Sequence, residues 1–406
     1  MSKLVRKIQK FNAGRLPERL AMKYANMRSG PFVFLRATCH LYYNRLPDAP
    51  VLEKAPPAWT CGDLHLENYG SYKGDNRQVY FDINDFDEGI LAPASWDAVR
   101  MVSSLIVGRE ALKAGEKEAL ALGDMFIRRW ADGLADGHAR WVEREIADGP
   151  VRELLTSLKS RQRIDLLSSR TVMHKTRRVL KVDDRKLLPA SKAQRERVTA
   201  AINAFAAREP DPKFYRVLDI ARRVAGNGSL GLDRYLVLIQ GRGAPDRHYL
   251  LDLKQSPPSA LAGASPLKQP RWKNEAARAI AVQRRMQAVP LAFLHDVEMD
   301  GASYILREMQ PIADRVSLAE AAKQDGAIES LVATMADCLA SAQLRSSGRQ
   351  GSANADALMD FGARQKWRGE LLDAALAAAR QVEDDWAAYS QAYDDGAFAP
   401  EAPGEA

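Results

Sequence analysis

Two acidic stretches that lie close together in the chain carry the residue types that phosphoryl transfer uses. The first reads Cys61-Gly62-Asp63-Leu64-His65-Leu66-Glu67-Asn68-Tyr69-Gly70, and the second Phe81-Asp82-Ile83-Asn84-Asp85-Phe86-Asp87-Glu88-Gly89. Moving a phosphoryl group onto a hydroxyl needs one carboxylate to orient the hydroxyl and take its proton. It also needs an amide oxygen and a second carboxylate to hold Mg²⁺ against the phosphates. Asp63 and Asn68 sit on one turn, and Asp82, Asp85 and Asp87 come on and after the next strand. Val79-Tyr80-Phe81 is a β-type run preceded by the turn signal Gly74-Asp75-Asn76, so a hairpin is expected to return the second stretch to the first. A calcium loop of the EF-hand kind is excluded by the spacing and by the missing terminal Glu. A zinc site on His65 lacks a second His or Cys at ligand spacing.

A third motif lies far along the chain. Gly226-Asn227-Gly228-Ser229-Leu230-Gly231 is a G-x-G-x-x-G run, whose glycines let backbone amides approach phosphates closely. A dinucleotide-binding reading requires a helix directly after it. The next segment, Tyr235–Ile239, reads instead as a strand, so the loop is expected to bridge two antiparallel strands. The following strand ends in Leu251-Asp252-Leu253-Lys254, which offers an ammonium to a nucleotide's α- and β-phosphates.

The elements that must position these residues follow from periodicity. Residues 1–45 read as basic helices with an apolar patch at Pro31–Leu35, and residues 58–90 as strands and tight turns. From Trp96 to about Ala207, apolar residues recur at helical spacing, with a basic, irregular stretch at Arg161–Arg195. Val217–Ala225, Tyr235–Ile239, Tyr249–Leu253 and Tyr304–Leu306 read as strands, Glu275–Gln287 as a helix, and the Ala-rich chain after Ser317 as helices through about Tyr393. Three segments are therefore expected: a helical unit over 1–208 with the acidic loop and turn, a β unit over 209–312 with the glycine loop and Lys254, and helices over 313–406 that return to the first unit.

The first stretch resembles the catalytic loop, roughly H-G-D-x-x-x-x-N, of the aminoglycoside phosphotransferase and choline kinase branch of the protein-kinase superfamily, with Cys61 in place of the His. Asp85-Phe86-Asp87 resembles that branch's metal-binding turn, and Trp96-Asp97 resembles the aspartate that buttresses the loop, with Arg100 as its partner. The resemblance implies that Asp63 is the catalytic base, with His65 beside it. It implies that Asn68 and Asp85 hold the metal, with Asp82 the rival to Asp85 and Asp87 nearby. It further implies that Glu275, or failing it Gln283, orients Lys254, and that Glu308 and Met309 stand at the strand-to-hinge passage that contacts adenine. Gly226, Asn227, Gly228, Ser229, Gly231, Lys254, Glu275, Glu308 and Met309 would then bind the nucleotide. A kinase runs from glycine loop to catalytic loop, whereas here the order is reversed. The implied fold is therefore α+β, two-lobed and circularly permuted, with a small antiparallel β lobe and a larger, mainly helical one. Over roughly residues 20–345 the chain also is similar to a bacterial family, domain of unknown function 2252. The shared marks are Ser29–Arg36, Cys61–Gly70, Asn84–Glu88, Gly226–Gly231 and Leu253-Lys254. It departs at Lys254-Gln255, where Lys-Glu-Ala is usual, and at Ala342–Arg345, where a His is usual.

These readings make the expected activity an ATP- and Mg²⁺-dependent transfer of phosphate to a hydroxyl of a small molecule or a protein. The alternatives are a nucleotide-binding pseudokinase and a nucleotidyl transfer such as adenylylation. The net charge of +7 favours an anionic partner, though over 406 residues it is a mild bias. The basic stretch 160–195 lacks interleaved aromatics, which argues against nucleic acid. Arg36 is expected in a surface ion pair. Cys39, Cys61 and Cys338 have no C-x-x-C spacing, and the basic N-terminus has no apolar core. No stretch approaches the roughly 18 apolar residues of a membrane span. A cytoplasmic, reducing location is the expectation.

Overall fold

The basic N-terminal residues form helices because their apolar side chains recur on one side. In α1 (Lys3–Asn12), Leu4, Val5 and Ile8 are buried, and Ser2 caps the start by accepting the Val5 amide. Prolines open α2 (Pro17–Arg28), α3 (Pro31–Ala37) and α5 (Pro50–Lys54), where a missing N–H costs nothing. The one-turn α4 (Cys39–Tyr42) lies between the last two. The computed structural model describes residues 2–183, 185–244, 246–309 and 315–399.

Four short strands follow: β1 (Pro57–Thr60), β2 (Tyr69–Lys73), β3 (Val79–Ile83) and β4 (Ile90–Pro93). β1 pairs with β4 and β2 with β3, both antiparallel, and the register sets Thr60 opposite Ile90 and Tyr69 opposite Ile83. Both ends of the acidic loop 61–68 are thereby pinned to both ends of the acidic turn 84–89. The expected hairpin is present.

Beneath these strands lies α6 (Ser95–Val107), every residue of which is buried. It packs against α7 (Glu116–Asp136), whose Trp130 meets Phe361 and Trp367 at ring distances of 6.0 and 5.6 Å. Each such aromatic pair adds about 0.5–1.5 kcal/mol beyond its buried area. The chain then runs through α8 (Gly149–Ser157) and α9 (Arg163–Arg170) into a hairpin of β5 (Thr171–His174) and β6 (Arg177–Leu180). β7 (Leu187–Pro189) and α10 (Lys192–Ala206) come next, and α10 starts on a reciprocal Ser191–Gln194 cap. The basic stretch 161–195 is thus built of regular elements rather than an irregular loop. Its Leu167, Leu180 and Leu187 are buried.

The large sheet is antiparallel and six-stranded, in the order β11-β12-β10-β9-β8-β7. Its remaining strands are β8 (Val217–Arg223), β9 (Arg234–Ile239), β10 (Tyr249–Gln255), β11 (His295–Met299) and β12 (Ala302–Glu308). On one face Val198, Ile202 and Phe205 of α10 pack on Tyr235, Val237, Leu251 and Leu253. On the other, α11 (Glu275–Met286) packs through Ala279 and Ile280 on Ile305 and also reaches Tyr72 and Tyr80 of the β2–β3 hairpin. Because β7 and α10 belong with this sheet, the sheet-bearing part starts before the boundary expected at residue 209. Pro311 and the boundary expected at 312 lie outside the described residues. The chain closes with α12 (Leu318–Ala321), α13 (Ala327–Arg345), α14 (Ala355–Ala363) and α15 (Lys366–Asp394), which join α6 and α7 in the largest core cluster. The molecule is α+β, with small antiparallel sheets set among helices. Among the described residues no helix is long and apolar enough to cross a membrane. The three cysteines are buried and free.

Candidate functional site

The acidic loop is held from below by groups taken out of water. Gly62 has φ +81°, and a Cβ there would stand 2.5 Å from the Glu88 carbonyl oxygen, so only glycine fits. Asp97, at the start of α6, accepts the amides of Cys61 at 2.8 Å and Gly62 at 3.0 Å, and the Tyr43 hydroxyl donates to the Gly62 carbonyl at 2.7 Å. Burial pushes the Asp97 carboxyl up to about 6, with the two amides working against it. Asp97 therefore buttresses the loop, but Arg100 is not its ion-pair partner. The Arg100 guanidinium, fully buried, donates through Nε to Asp63 Oδ1 at 2.9 Å and through Nη2 to the Leu35 carbonyl at 3.0 Å. One helical turn separates Asp97 from Arg100, which aims them at successive parts of the same loop.

Asn68 joins the loop to the turn. Its Nδ2 donates to the carbonyls of Asp63 at 3.0 Å and Asp85 at 3.3 Å, and no described donor reaches its Oδ1. Asp85 is open to the cavity and, among the described residues, accepts the Asp87 amide alone, at 3.3 Å. The crowd of protein atoms around it opposes ionisation, but the Lys254 and Arg307 charges outweigh that and hold its carboxyl below the usual range. His65 accepts the Glu67 amide on Nδ1 at 3.1 Å, and burial pushes its imidazole far below the usual value, so it is neutral.

The glycine loop lies across from these groups, between β8 and β9 as expected. Gly226 and Gly231 have φ of +77° and +87°. The carbonyls of Gly228 and Leu230 accept from Arg15 at 2.7 and 3.0 Å, and the buried Lys23 ammonium reaches Gly228 at 3.3 Å. The amides of Asn227, Gly228, Ser229 and Gly231 have no acceptor among the described residues. A single cavity of about 420 Å³ is lined by Asp63, His65, Asn68, Asp85 and Asp87, and by Gly226, Asn227, Gly228, Ser229 and Gly231. That volume is at the small end of ligand sites.

Several expected site residues are elsewhere. Asp82 is buried away from the cavity, paired with Arg345 at 3.0 Å and bonded by the Ala288 amide at 3.2 Å. It lies within β3, whereas Asp85 lies on the turn beyond the end of that strand. The Lys254 ammonium is taken up by Asp87 rather than by Glu275. Glu275, at the first turn of α11, pairs with Arg278 at 2.7 Å, and Gln283 donates to Gln287 at 3.0 Å. The link from α11 to the acidic turn is Arg278, which donates to the carbonyls of Asp87 at 2.7 Å and Gly89 at 2.5 Å. Glu308 pairs with Arg77 at 3.3 Å, and the Met309 amide donates to the Leu250 carbonyl at 2.9 Å. Both residues line a second, larger cavity of about 680 Å³, not the one above. Arg36 pairs with Glu67 at 2.8 Å, the ion pair that was expected, although on the cavity wall.

Sequence reasoning missed Arg15, Lys23 and Arg278, which act across long chain separations and carry no local signal. It also missed Glu88 as a wall residue, though it ends the acidic stretch. Burial and the charges of Asp63 and Asp87 push its carboxyl up to about 7, against the Ala260 amide that it accepts at 2.6 Å. It missed Asp252 too. This aspartate is almost wholly buried between Arg234 at 2.6 Å, Arg223 at 2.8 Å and Arg307 at 3.6 Å. Removing one member of such a cluster costs about 3–5 kcal/mol, since it strands a buried charge.

Among the described residues no three His, Cys, Asp or Glu side chains are grouped to hold a metal by themselves. Asn68 Oδ1 and the Asp85 carboxylate fit a cation that also takes ligands from bound phosphates, which is how Mg²⁺ is commonly held. No curated protein and no solved structure matches the chain. A family model matches residues 15–392, the acidic loop, the turn and the glycine loop all included, and the chain belongs to that family, described as "Uncharacterized protein conserved in bacteria (DUF2252)".

Proposed function

We propose that the 420 Å³ cavity is a phosphoryl-transfer site on a circularly permuted, protein-kinase-like scaffold, using Mg²⁺ and a triphosphate such as ATP to phosphorylate a hydroxyl. The observation that carries this is the convergence of the acidic loop, the acidic turn and the glycine loop on one cavity, although the last is far from the others in sequence. The succession β8, glycine loop, β9, lysine strand β10, α11, β11 and β12 is the order this reading asks of a nucleotide-binding lobe, and the support that Asp97 gives the acidic loop is in keeping with it. Asn68 and Asp85 would hold Mg²⁺, which neutralises charge on the phosphates.

In the reaction the acceptor oxygen bonds to phosphorus and its proton passes to the Asp63 carboxylate. The bond from phosphorus to the leaving phosphate breaks, and its electron pair stays with that phosphate. Arg100 holds Asp63 in place through Oδ1, and no described donor occupies Oδ2. The four unbonded amides of the glycine loop would donate to oxygens that carry the charge. Lys254 serves by fixing Asp87 and with it the turn.

Calorimetric titration of Mg-ATP tests this. Binding is expected to need Mg²⁺ and to weaken at least about tenfold in Asp85→Asn, the loss of one charged metal ligand. Equal affinity in that variant would discard the site. Nucleotidyl transfer and binding without turnover are the competing readings. The mass of the modified acceptor separates the first, and intact binding without product separates the second.

A further inference from the structure

The sheet face that looks toward the acidic turn is already filled. Lys254 on β10 pairs with Asp87 of that turn, and Asp252, two residues earlier on the strand, shares its face. This is the surface on which a base would have to lie if the donor were gripped between sheet and catalytic loop. Asp252 and the guanidinium groups of Arg223, Arg234 and Arg307 occupy its centre. Leu236, Leu238 and Leu250 form its outer part, and Leu167, Leu180 and Leu187 of the α9–β7 segment cover them. That cover is fastened at its edges: the Leu180 amide donates to Asp219 at 2.8 Å, and Arg163 donates to the Asp246 carbonyl at 2.7 Å.

Among the described residues, the backbone amides at the end of β12 are also taken. The Met309 amide is bonded to Leu250, and the Glu308 amide points to the Ala292 carbonyl at 3.4 Å. Among the described residues the rings that line the cavity are Phe11, stacked on His40 at 3.8 Å, and His65, which meets Phe32 edge to face at 6.1 Å. By contrast, everything that recognises phosphate is open: the four unbonded amides, Asn68 Oδ1 and the Asp85 carboxylate.

From this, and resting on the phosphoryl-transfer reading, we propose that the donor is recognised by its magnesium-bound phosphate chain alone, so that the site takes a triphosphate whatever base it carries, and inorganic tripolyphosphate too. Opening the sheet face for a base would mean breaking the Asp252 cluster, which costs more than stacking one base returns.

The test is a calorimetric series on the wild-type chain with Mg²⁺ and ATP, GTP, CTP or inorganic tripolyphosphate, repeated without Mg²⁺ and with Asp85→Asn. The proposal expects all four to bind within about fivefold of one another, each Mg²⁺-dependent and each weakened by the substitution. Preference for ATP beyond fivefold over GTP, CTP or tripolyphosphate overturns base-blind recognition and leaves the phosphoryl-transfer reading standing. Binding of none of the four removes both. Tripolyphosphate binding that ignores Mg²⁺ and Asp85→Asn is adsorption to a basic surface and also overturns the proposal.

Discussion

The acidic loop and the glycine loop face each other across one cavity and are held in opposite ways. The acidic loop has its amides tied from beneath, by Asp97 at Cys61 and Gly62, which leaves side chains to face the cavity. The glycine loop has its carbonyls tied, by Arg15 and Lys23, while the amides of Asn227, Gly228, Ser229 and Gly231 have no acceptor among the described residues. One presents carboxylate and amide oxygens and the other N–H groups. The contrast teaches that two loops on one cavity can differ in character according to which half of each peptide is anchored elsewhere.

The largest effect expected from breaking this contrast is chemical. On the phosphoryl-transfer reading, Asp63→Asn removes the proposed proton acceptor and should lower transfer roughly 10²–10⁴-fold while triphosphate affinity by calorimetry stays within about twofold. Full turnover in that variant would show that Asp63 is not the base.

The next effect is on stability. The Asp97 carboxyl is raised to about 6 from an ordinary 3.8, so the folded chain holds that proton more tightly than the unfolded chain does. Its contribution is complete below the unfolded value and is lost as pH rises through about 6. Asp97→Asn abolishes the titration. Wild-type stability relative to that variant should fall by up to about 3 kcal/mol between about pH 4 and pH 7.5 in urea unfolding. A constant difference across that range would refute it.

Paired glycine substitutions sharpen the comparison. Gly62→Ala forces a side chain into φ +81° and against the Glu88 carbonyl, and should cost about 2 kcal/mol or more in thermal unfolding. Gly228→Ala meets only the Arg36 carbonyl, at 3.4 Å, and should cost under about 1 kcal/mol. Similar losses in both would mean that the two loops are equally constrained.

The smallest effect is on the anchored carbonyls. Arg15→Ala removes two hydrogen bonds to the glycine loop and should weaken triphosphate binding about three- to tenfold, near 1 kcal/mol, with no change in the pH dependence of turnover.

Much of the site could be read in the chain because short loops carry it. Asp63, Asn68 and Asp85 are brought together by two hairpin-like pairings within about thirty residues, and the glycine loop by the β8–β9 pair. The misassigned residues share a cause. Asp82 lies on β3 and turns to Arg345, whereas Asp85 lies on the turn beyond the strand's end, and Glu275 was chosen as the only Glu of its helix although Arg278 makes the contact. Glu308 and Met309 sit at a strand end whose surroundings come from other parts of the chain. In each case the direction in which the residue faces depended on packing.

By itself, then, the sequence determined the local elements and the chemical character of the two loops, because turn residues, strand alternation and glycine spacing act over a few positions. Only the tertiary structure decided which charges meet: Lys254 with Asp87, Arg100 with Asp63, and three arginines with Asp252. An ion pair is a property of distance in space, and burial decides its strength. Neither is written in the order of the residues.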